Sequence, residues 1–330
     1  MTKKIFVTTL LILKLNSLLA QLPSIAWERC YGGTEADNCF ASCEAHDGNY
    51  IIAGTCNSDN GDFTGPILGV TDIVLLKIDS SSGAIIWQRN LGGTDYDNCY
   101  SVVKTNDGGY ILTGESKSPF IPGAHGISSY DMYVCKVDSL GNLQWHHCYG
   151  GSNDDGGAGV IQMPDSTFLV SGYTRSITGN VSFNHGNYDY WVIHVDTQGN
   201  LLWEKTYGGT LYDRIYCMTQ SDSGHYLLGG ASNSLDGDVT GNHGGTDYWI
   251  AEIDSAGNLI WENSFGGPGD DICFGICQSS GKIYCGGLVY SGGGDVTNFH
   301  GGFSDGWVAK LSMSGQLLSE RAIGGSGSAY

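Results

Sequence analysis

Basic residues are scarce in this chain. Fifteen Lys and Arg stand against 34 Asp and Glu in 330 residues. That balance excludes a surface built to neutralise phosphate, and with it nucleic acid and anionic membrane as partners. It favours solubility and attracts divalent cations. Prolines number six, and the 52 glycines follow no Gly-X-Y triplet, so glycine marks turns here rather than collagen or disorder. Beyond the N-terminus no segment reaches the ~18 uninterrupted apolar residues of a membrane span. Nucleophile-elbow, H-E-x-x-H and phosphate-loop motifs are missing, and Thr105 to Gly109 only begins like a sialidase Asp box. Cysteine is present eleven times, but the odd number and irregular spacing define no disulfide framework. The eleven read as small buried thiols.

The first twenty residues have the pattern of an export signal. Lys3 and Lys4 precede the apolar stretch Ile5 to Leu15, and Leu18-Leu19-Ala20 offers cleavage near Ala20. Losing Lys3, Lys4 and Lys14 leaves 12 basic against 34 acidic residues. The expectation is a secreted, periplasmic or cell-surface protein without a transmembrane segment, with residues 21–330 forming one monomeric domain.

What fills that domain is a repeat. Trp87, Trp145, Trp203 and Trp261 are spaced by 58 residues, Trp27 precedes them by 60, and Ser319 takes the Trp place in a partial sixth copy. A Gly-Gly turn follows each, as at Gly92-Gly93 and Gly208-Gly209. An Asp recurs beyond the turn at Asp37, Asp97, Asp155, Asp213 and Asp271, and a second at Asp72, Asp131, Asp189, Asp247 and Asp305. Such a period, filled with strand signals, indicates a propeller or array. In the second copy the spacing predicts strands over 98–106, 110–115, 132–137 and 143–149, joined by Asp-Gly and Asp-Ser-Leu-Gly-Asn turns. Four strands per copy, five times over, predicts an all-β propeller of about five blades, complete or part of a larger ring.

Strand polarity sorts the loops. The fourth-to-first turns and the long second-to-third loops (57–71, 116–130, 174–188, 232–246 and 290–304) fall on one face, and the short hairpins on the other. Function is expected on the long-loop face. The small residues four after the first Asp (Ala41, Ser101, Gly159, Cys217 and Gly275) fit strands converging on a narrow centre. All eight tryptophans read as inter-blade packing. One strand is surplus: 24–31 and 316–323 are both fourth-strand copies, so in a closed ring they compete for the last blade, with the Trp27 copy expected to pack better.

The motifs W-x4-G-G, D-G-G-Y and D-G-D-V-T-G-x-H-G-G-x-D-Y-W, matched nearly throughout in Trp203 to Trp249, resemble the propeller-repeat proteins exported by Bacteroidota. That resemblance implies secretion and an adhesive or binding role without an assigned reaction. The type IX sorting domain common in that family has no counterpart after Gly325. Asp79 to Trp87 resembles a hairpin of quinoprotein propellers and reads as convergent turn chemistry.

Candidate site residues lie on the long loops. His125, His185, His243 and His300 share one repeat position and are the ligand-face candidates, with backbone bonding as the competing role. Asp236, Asp238 and Thr240 resemble an oxygen-ligand Ca²⁺ loop, and the two Asp series read as turn caps. Departures from the repeat look scattered along the chain. The leading expectation is an exported, non-enzymatic scaffold that binds protein or carbohydrate. The alternative is a glycan hydrolase or lyase with its acids on the same face.

Overall fold

The computed structural model describes residues 25–126 and 128–327; the export signal expected over 1–20 lies outside them. Twenty strands form five antiparallel sheets, each a meander of four consecutive strands. The first holds β1 (Asp37–Glu44), β2 (Tyr50–Cys56), β3 (Asp72–Ile78) and β4 (Ile85–Leu91). The second holds β5 (Asp97–Lys104), β6 (Tyr110–Ser116), β7 (Asp131–Val137) and β8 (Leu143–Tyr149). The third holds β9 (Asp155–Gln162), β10 (Phe168–Thr174), β11 (Asp189–Val195) and β12 (Leu201–Tyr207). The fourth holds β13 (Asp213–Gln220), β14 (Tyr226–Ser232), β15 (Asp247–Ile253) and β16 (Leu259–Phe265). The fifth holds β17 (Asp271–Ser279), β18 (Lys282–Val289), β19 (Asp305–Leu311) and β20 (Leu317–Ile323). The chain is an all-β propeller array. No helix among the described residues is long and apolar enough to cross a membrane.

Each Trp of the fourth-strand series fixes one sheet to the next. Trp145 Nε1 donates to the Thr197 carbonyl at 2.9 Å, and Tyr149 donates to the Gly199 carbonyl at 2.5 Å. The Trp ring covers the turn glycine of the following sheet. That glycine has positive φ (82° at Gly199, 76° at Gly257), and a Cβ on Gly257 would come within 3.0 Å of the Trp203 ring. The second Trp series is fully buried: Trp191, Trp249 and Trp307 are 0–1% exposed. Their indoles donate to Glu204, Glu262 and Glu320 on the neighbouring outer strand. Burial of one such ring contributes several kcal/mol at ~25 cal/mol per Å² over 150–250 Å².

The loop sorting is visible in the bonds. Thr34 N donates to Asn60, Glu35 N to Ser58, and Asp95 N to Ser118. The long loops therefore sit with the Gly-Gly turns. On the other face, Lys136 Nζ reaches Asp107, and Asn106 N donates to Gln162.

The five sheets pack in sequence, first against second through to fourth against fifth, and among the described residues there is no comparable contact from fifth back to first. The competition expected for the last blade does not occur. β20, carrying Ser319, pairs with β19 and completes the fifth sheet. Residues 25–36 form no strand. They lie instead on the first sheet, where Trp27 Nε1 donates to the Ser80 carbonyl and Tyr31 to the Gly83 carbonyl. This repeats the Trp145–Tyr149 arrangement, so the Trp27 segment occupies the place of an outer strand preceding the first sheet. The uncovered first sheet also corrects the cysteine expectation. Cys99 and Cys273 are buried, whereas Cys39 at the same repeat position is exposed. All eleven thiols are free.

Every inner strand carries a β-bulge at one place. The pairing register shifts between Cys39 and Ala41, Cys99 and Ser101, Ile215 and Cys217, and Cys273 and Gly275; in the third sheet Gly157 and Gly159 flank the extra residue. A bulge leaves one residue unpaired and re-aims its side chain. Here the extra residues are Phe40, Tyr100, Ala158, Tyr216 and Phe274, and all five line one cavity on the axis. The small residues that follow them meet the adjacent blade: a Cβ on Gly159 would lie 3.5 Å from Met218. The narrow centre expected from those small residues is thus an open cavity walled by their larger neighbours.

Candidate functional site

The His–Asp loop positions form an articulated rim. His125, His185, His243 and His300 each donate their backbone N–H, and place Nδ1 at 2.7–3.0 Å, to Asp131, Asp189, Asp247 and Asp305. With a carboxylate accepting at Nδ1, that nitrogen carries the proton, and in His185 and His243 Nε2 points on to the next blade. His185 Nε2 lies 3.7 Å from Asp238, and His243 Nε2 3.7 Å from Asp295. In the first sheet the backbone N–H groups of Leu68 and Gly69 take the His role on Asp72. The four imidazoles belong to four different blades, each engaged with its own aspartate rather than with one another.

The first Asp series holds the Gly-Gly turns. Gly33, Gly93, Gly151, Gly209 and Gly267 donate N–H to Asp37, Asp97, Asp155, Asp213 and Asp271 at 2.6–2.9 Å. Hydroxyls join them, Ser118 on Asp97, Ser176 on Asp155 and Ser234 on Asp213 at 2.8–2.9 Å. Burial pushes the carboxyls of Asp155 and Asp271 up to about 6 and about 7 against those donors, and that of Asp189 in the second series up to about 6 against the His185 donors. Asp37, at the uncovered edge, shows the reverse. Its weaker burial is outweighed by hydrogen bonds from Gly33, Ser58 and Asn57, and its carboxyl falls below the usual range.

The Asp236/Asp238/Thr240 loop spends its oxygens on the fold. Asp236 accepts from Thr210 N and Oγ1, Asp238 accepts from Gly208 N at 3.3 Å, and Thr240 donates to Glu262 at 2.5 Å. Asn180 accepts from Gly150 N in the third repeat as Asp238 does from Gly208 N in the fourth. Among the described residues no group of three or more His, Cys, Asp or Glu is placed to share a metal ion.

The departures from the repeat converge. At the bulge position four blades carry an aromatic and the third carries Ala158; the position two before it is Asn38, Asn98, Gly156, Arg214 and Ile272. Into the space left by Gly156 swings Tyr173, whose ring a Cβ on Gly156 would strike at 2.7 Å. Tyr173 donates to Glu115 Oε2 at 2.6 Å. Tyr100 and Asn98 donate to Glu115 Oε1 at 2.8 and 3.1 Å. Arg214 lies over the Tyr173 ring at 4.2 Å and near Tyr216 at 5.6 Å. Burial, then the Glu115 charge, pushes the Tyr100 and Tyr173 phenols far above the usual tyrosine range, so both remain proton donors.

These groups line or support a cavity of about 390 Å³ whose wall comprises Phe40, Tyr100, Gly157, Ala158, Tyr173, Arg214, Ile215, Tyr216 and Phe274. It draws on the inner strands of all five sheets, within three residues of their long-loop ends. Its volume falls within the ~300–1,000 Å³ of small-ligand pockets. Reading the repeat alone misses this site. The signal in the sequence is the aromatic column at 40, 100, 216 and 274, broken by the run Gly156-Gly157-Ala158 beside Arg214.

Fold and cavity together define a blade-repeat propeller with a central aromatic site. No family model matches the chain. It is 28% identical over 163 residues, 46% of its length, to regulatory protein FlaEY of Caulobacter vibrioides, and the match spans 17% of that protein. Among solved structures it is similar to BamB from Moraxella catarrhalis (TM-score 0.41, 13% identity, 89% of this chain and 80% of that one). It is also similar to the PQQ-bound aldose sugar dehydrogenase of Streptomyces coelicolor (TM-score 0.41, 8% identity, 88% and 82%).

Proposed function

We propose that this propeller is an exported, non-enzymatic binding module that holds a protein or carbohydrate ligand at the long-loop end of its axis. The observation that carries this reading is the convergence of the non-repeated residues, Glu115, Ala158, Tyr173 and Arg214, on one aromatic cavity. The recurring Trp, Gly and Asp columns join blade to blade in the same way each time, whereas these positions make contacts of their own across the second, third and fourth blades. Binding rather than hydrolysis is favoured by the wall itself, which carries no carboxylate. Glycoside hydrolysis ordinarily needs two acids flanking the bond. Glu115, which holds Tyr100 and Tyr173 behind the wall, is 7% exposed and already accepts three hydrogen bonds.

The test is a glycan array and a pull-down with the chain from Gln21. A retained ligand lost with Tyr216→Ala plus Phe274→Ala supports the reading. Turnover of a glycan that disappears with Glu115→Gln would overturn it in favour of an enzyme.

A further inference from the structure

Cationic side chains are few and the chain as a whole is strongly acidic, yet three of them gather at this end of the axis without acidic partners. Among the described residues the ion pairs of Lys and Arg are Lys77–Asp47 and Lys136–Asp107. Lys117, Arg175 and Arg214 instead each lie on a tyrosine: Lys117 over Tyr130 at 4.2 Å, Arg175 over Tyr188 at 5.6 Å and Arg214 over Tyr173 at 4.2 Å. Two of these tyrosines, Tyr173 and Tyr188, are linked to each other and to further ones. Tyr188 meets Tyr173 and Tyr212 edge-on, both at 5.6 Å, and Tyr212 shares a hydrogen bond with Tyr216. Arg214 is the one whose residue lines the cavity.

We infer that the cavity takes an acidic sugar, a uronate-type unit of an oligosaccharide, with its carboxylate on Arg214 and its ring face on the aromatic wall. This rests on the binding reading above and names its ligand. A guanidinium presents a planar fork matched to carboxylate. The Tyr173 ring beneath holds that fork in place without neutralising it. Glu115 is kept from Arg214 by the Tyr100, Asn98 and Tyr173 donors that occupy its oxygens, so the Arg214 charge remains for a ligand. Phe40 and Phe274 are 53% and 50% exposed across the cavity. Their ring faces are negative and attract the C–H groups on the flat side of a pyranose. On a strongly acidic chain a carboxylate is drawn to cations without acidic partners, and Arg175, on the Tyr188 ring that meets Tyr173, lies on the approach to Arg214.

The experiment is calorimetric titration of the chain from Gln21 with short oligosaccharides of polygalacturonate, alginate and hyaluronate, each beside its carboxyl-reduced neutral form. At least one acidic probe should bind, at least tenfold more tightly than its reduced form, and more weakly as salt rises. Arg214→Gln should lose at least tenfold, Arg214→Lys an intermediate amount, and Lys205→Gln, the same charge change on the outer strand β12, nothing. If Arg214→Gln does not fold, the reduced probes on the unaltered chain still decide. Equal binding of acidic and reduced forms, equal behaviour of Arg214→Gln and Lys205→Gln, or no acidic probe bound would each overturn the inference. A neutral glycan or protein held by the chain and indifferent to Arg214→Gln would overturn it while leaving the binding reading intact.

Discussion

Raising the pH from 4 to 8 should destabilise this protein. Asp155, Asp189 and Asp271 are 0% exposed, each at a different junction between blades, and their carboxyls are pushed up to about 6, 6 and 7. A folded-state pKa above the unfolded value means that the folded protein binds the proton more tightly. The stabilisation is complete below pH ~4, the unfolded value, and is lost as pH rises through 6 to 7. At ~1.4 kcal/mol per unit, full ionisation removes ~3 kcal/mol at Asp155 and at Asp189, and ~4 kcal/mol at Asp271. Water entering a loosened junction relieves part of this, so a net fall of ~3 kcal/mol is the expected outcome, a large share of a typical 5–15 kcal/mol. His146, His147 and His194 work the other way. Burial lowers their pKa, so their contribution grows as pH rises towards 6.5 and flattens the first part of the curve. Self-repulsion of the acidic surface also weakens the protein at high pH, but salt screens that effect at a Debye length of ~10 Å in 0.1 M and hardly reaches buried groups. Urea unfolding at six pH values, in 0.05 and 0.5 M NaCl, separates the two. A stability that is flat or rising from pH 4 to 8 in high salt would refute the claim that burial outweighs the donors at these carboxylates.

Four further outcomes are expected. Tyr207→Phe should cost ~1–3 kcal/mol, since the Gly257 carbonyl it serves at 2.6 Å is left buried and unsatisfied; denaturant midpoints read this. Millimolar Ca²⁺ or chelator should leave the melting temperature unchanged, because Asp236, Asp238 and Thr240 are engaged by Thr210, Gly208 and Glu262; a rise with Ca²⁺ would show native-state binding. A thiol reagent should label Cys30, Cys39 and Cys277 in the native protein and leave Cys99 and Cys135, both pushed by burial to about 12, until unfolding. Deleting 316–330 should abolish cooperative unfolding of the fifth sheet, because β20 rather than the Trp27 segment closes it.

Much of the fold was legible because it is said five times. The four strands of the second copy fall within a residue or two of their expected limits. The loop faces follow from polarity alone, and the Trp, Gly and Asp columns recur because each builds the same joint. What repetition conceals is whatever happens once. Glu115, Ala158, Tyr173 and Arg214 stand in three different copies, on β6, β9, β10 and β13, and look like unrelated exceptions until the sheets are stacked. The strand expected over 24–31 fails for a related reason. A strand needs a neighbour to pair with, and the pattern Trp-x4-Gly-Gly says nothing about whether one is there. Cys39 misleads likewise, since its column is buried only where a preceding sheet covers it.

The bulge on each inner strand has a consequence for how such a protein changes over time. Residues on either side of it, such as Cys99 and Ser101, keep their places in the sheet, while the residue between them has no partner in the ladder and turns to the axis. Five such positions, 40, 100, 158, 216 and 274, can vary without breaking the ladder, with neighbours coupled through the Phe40–Tyr100 and Tyr216–Phe274 ring contacts. Drift at these sites leaves the sheet pairing intact while changing what the cavity presents. New specificities can be sampled on an inherited scaffold by exchanging a handful of codons, or by shuffling whole repeats that each bring one inward-facing letter.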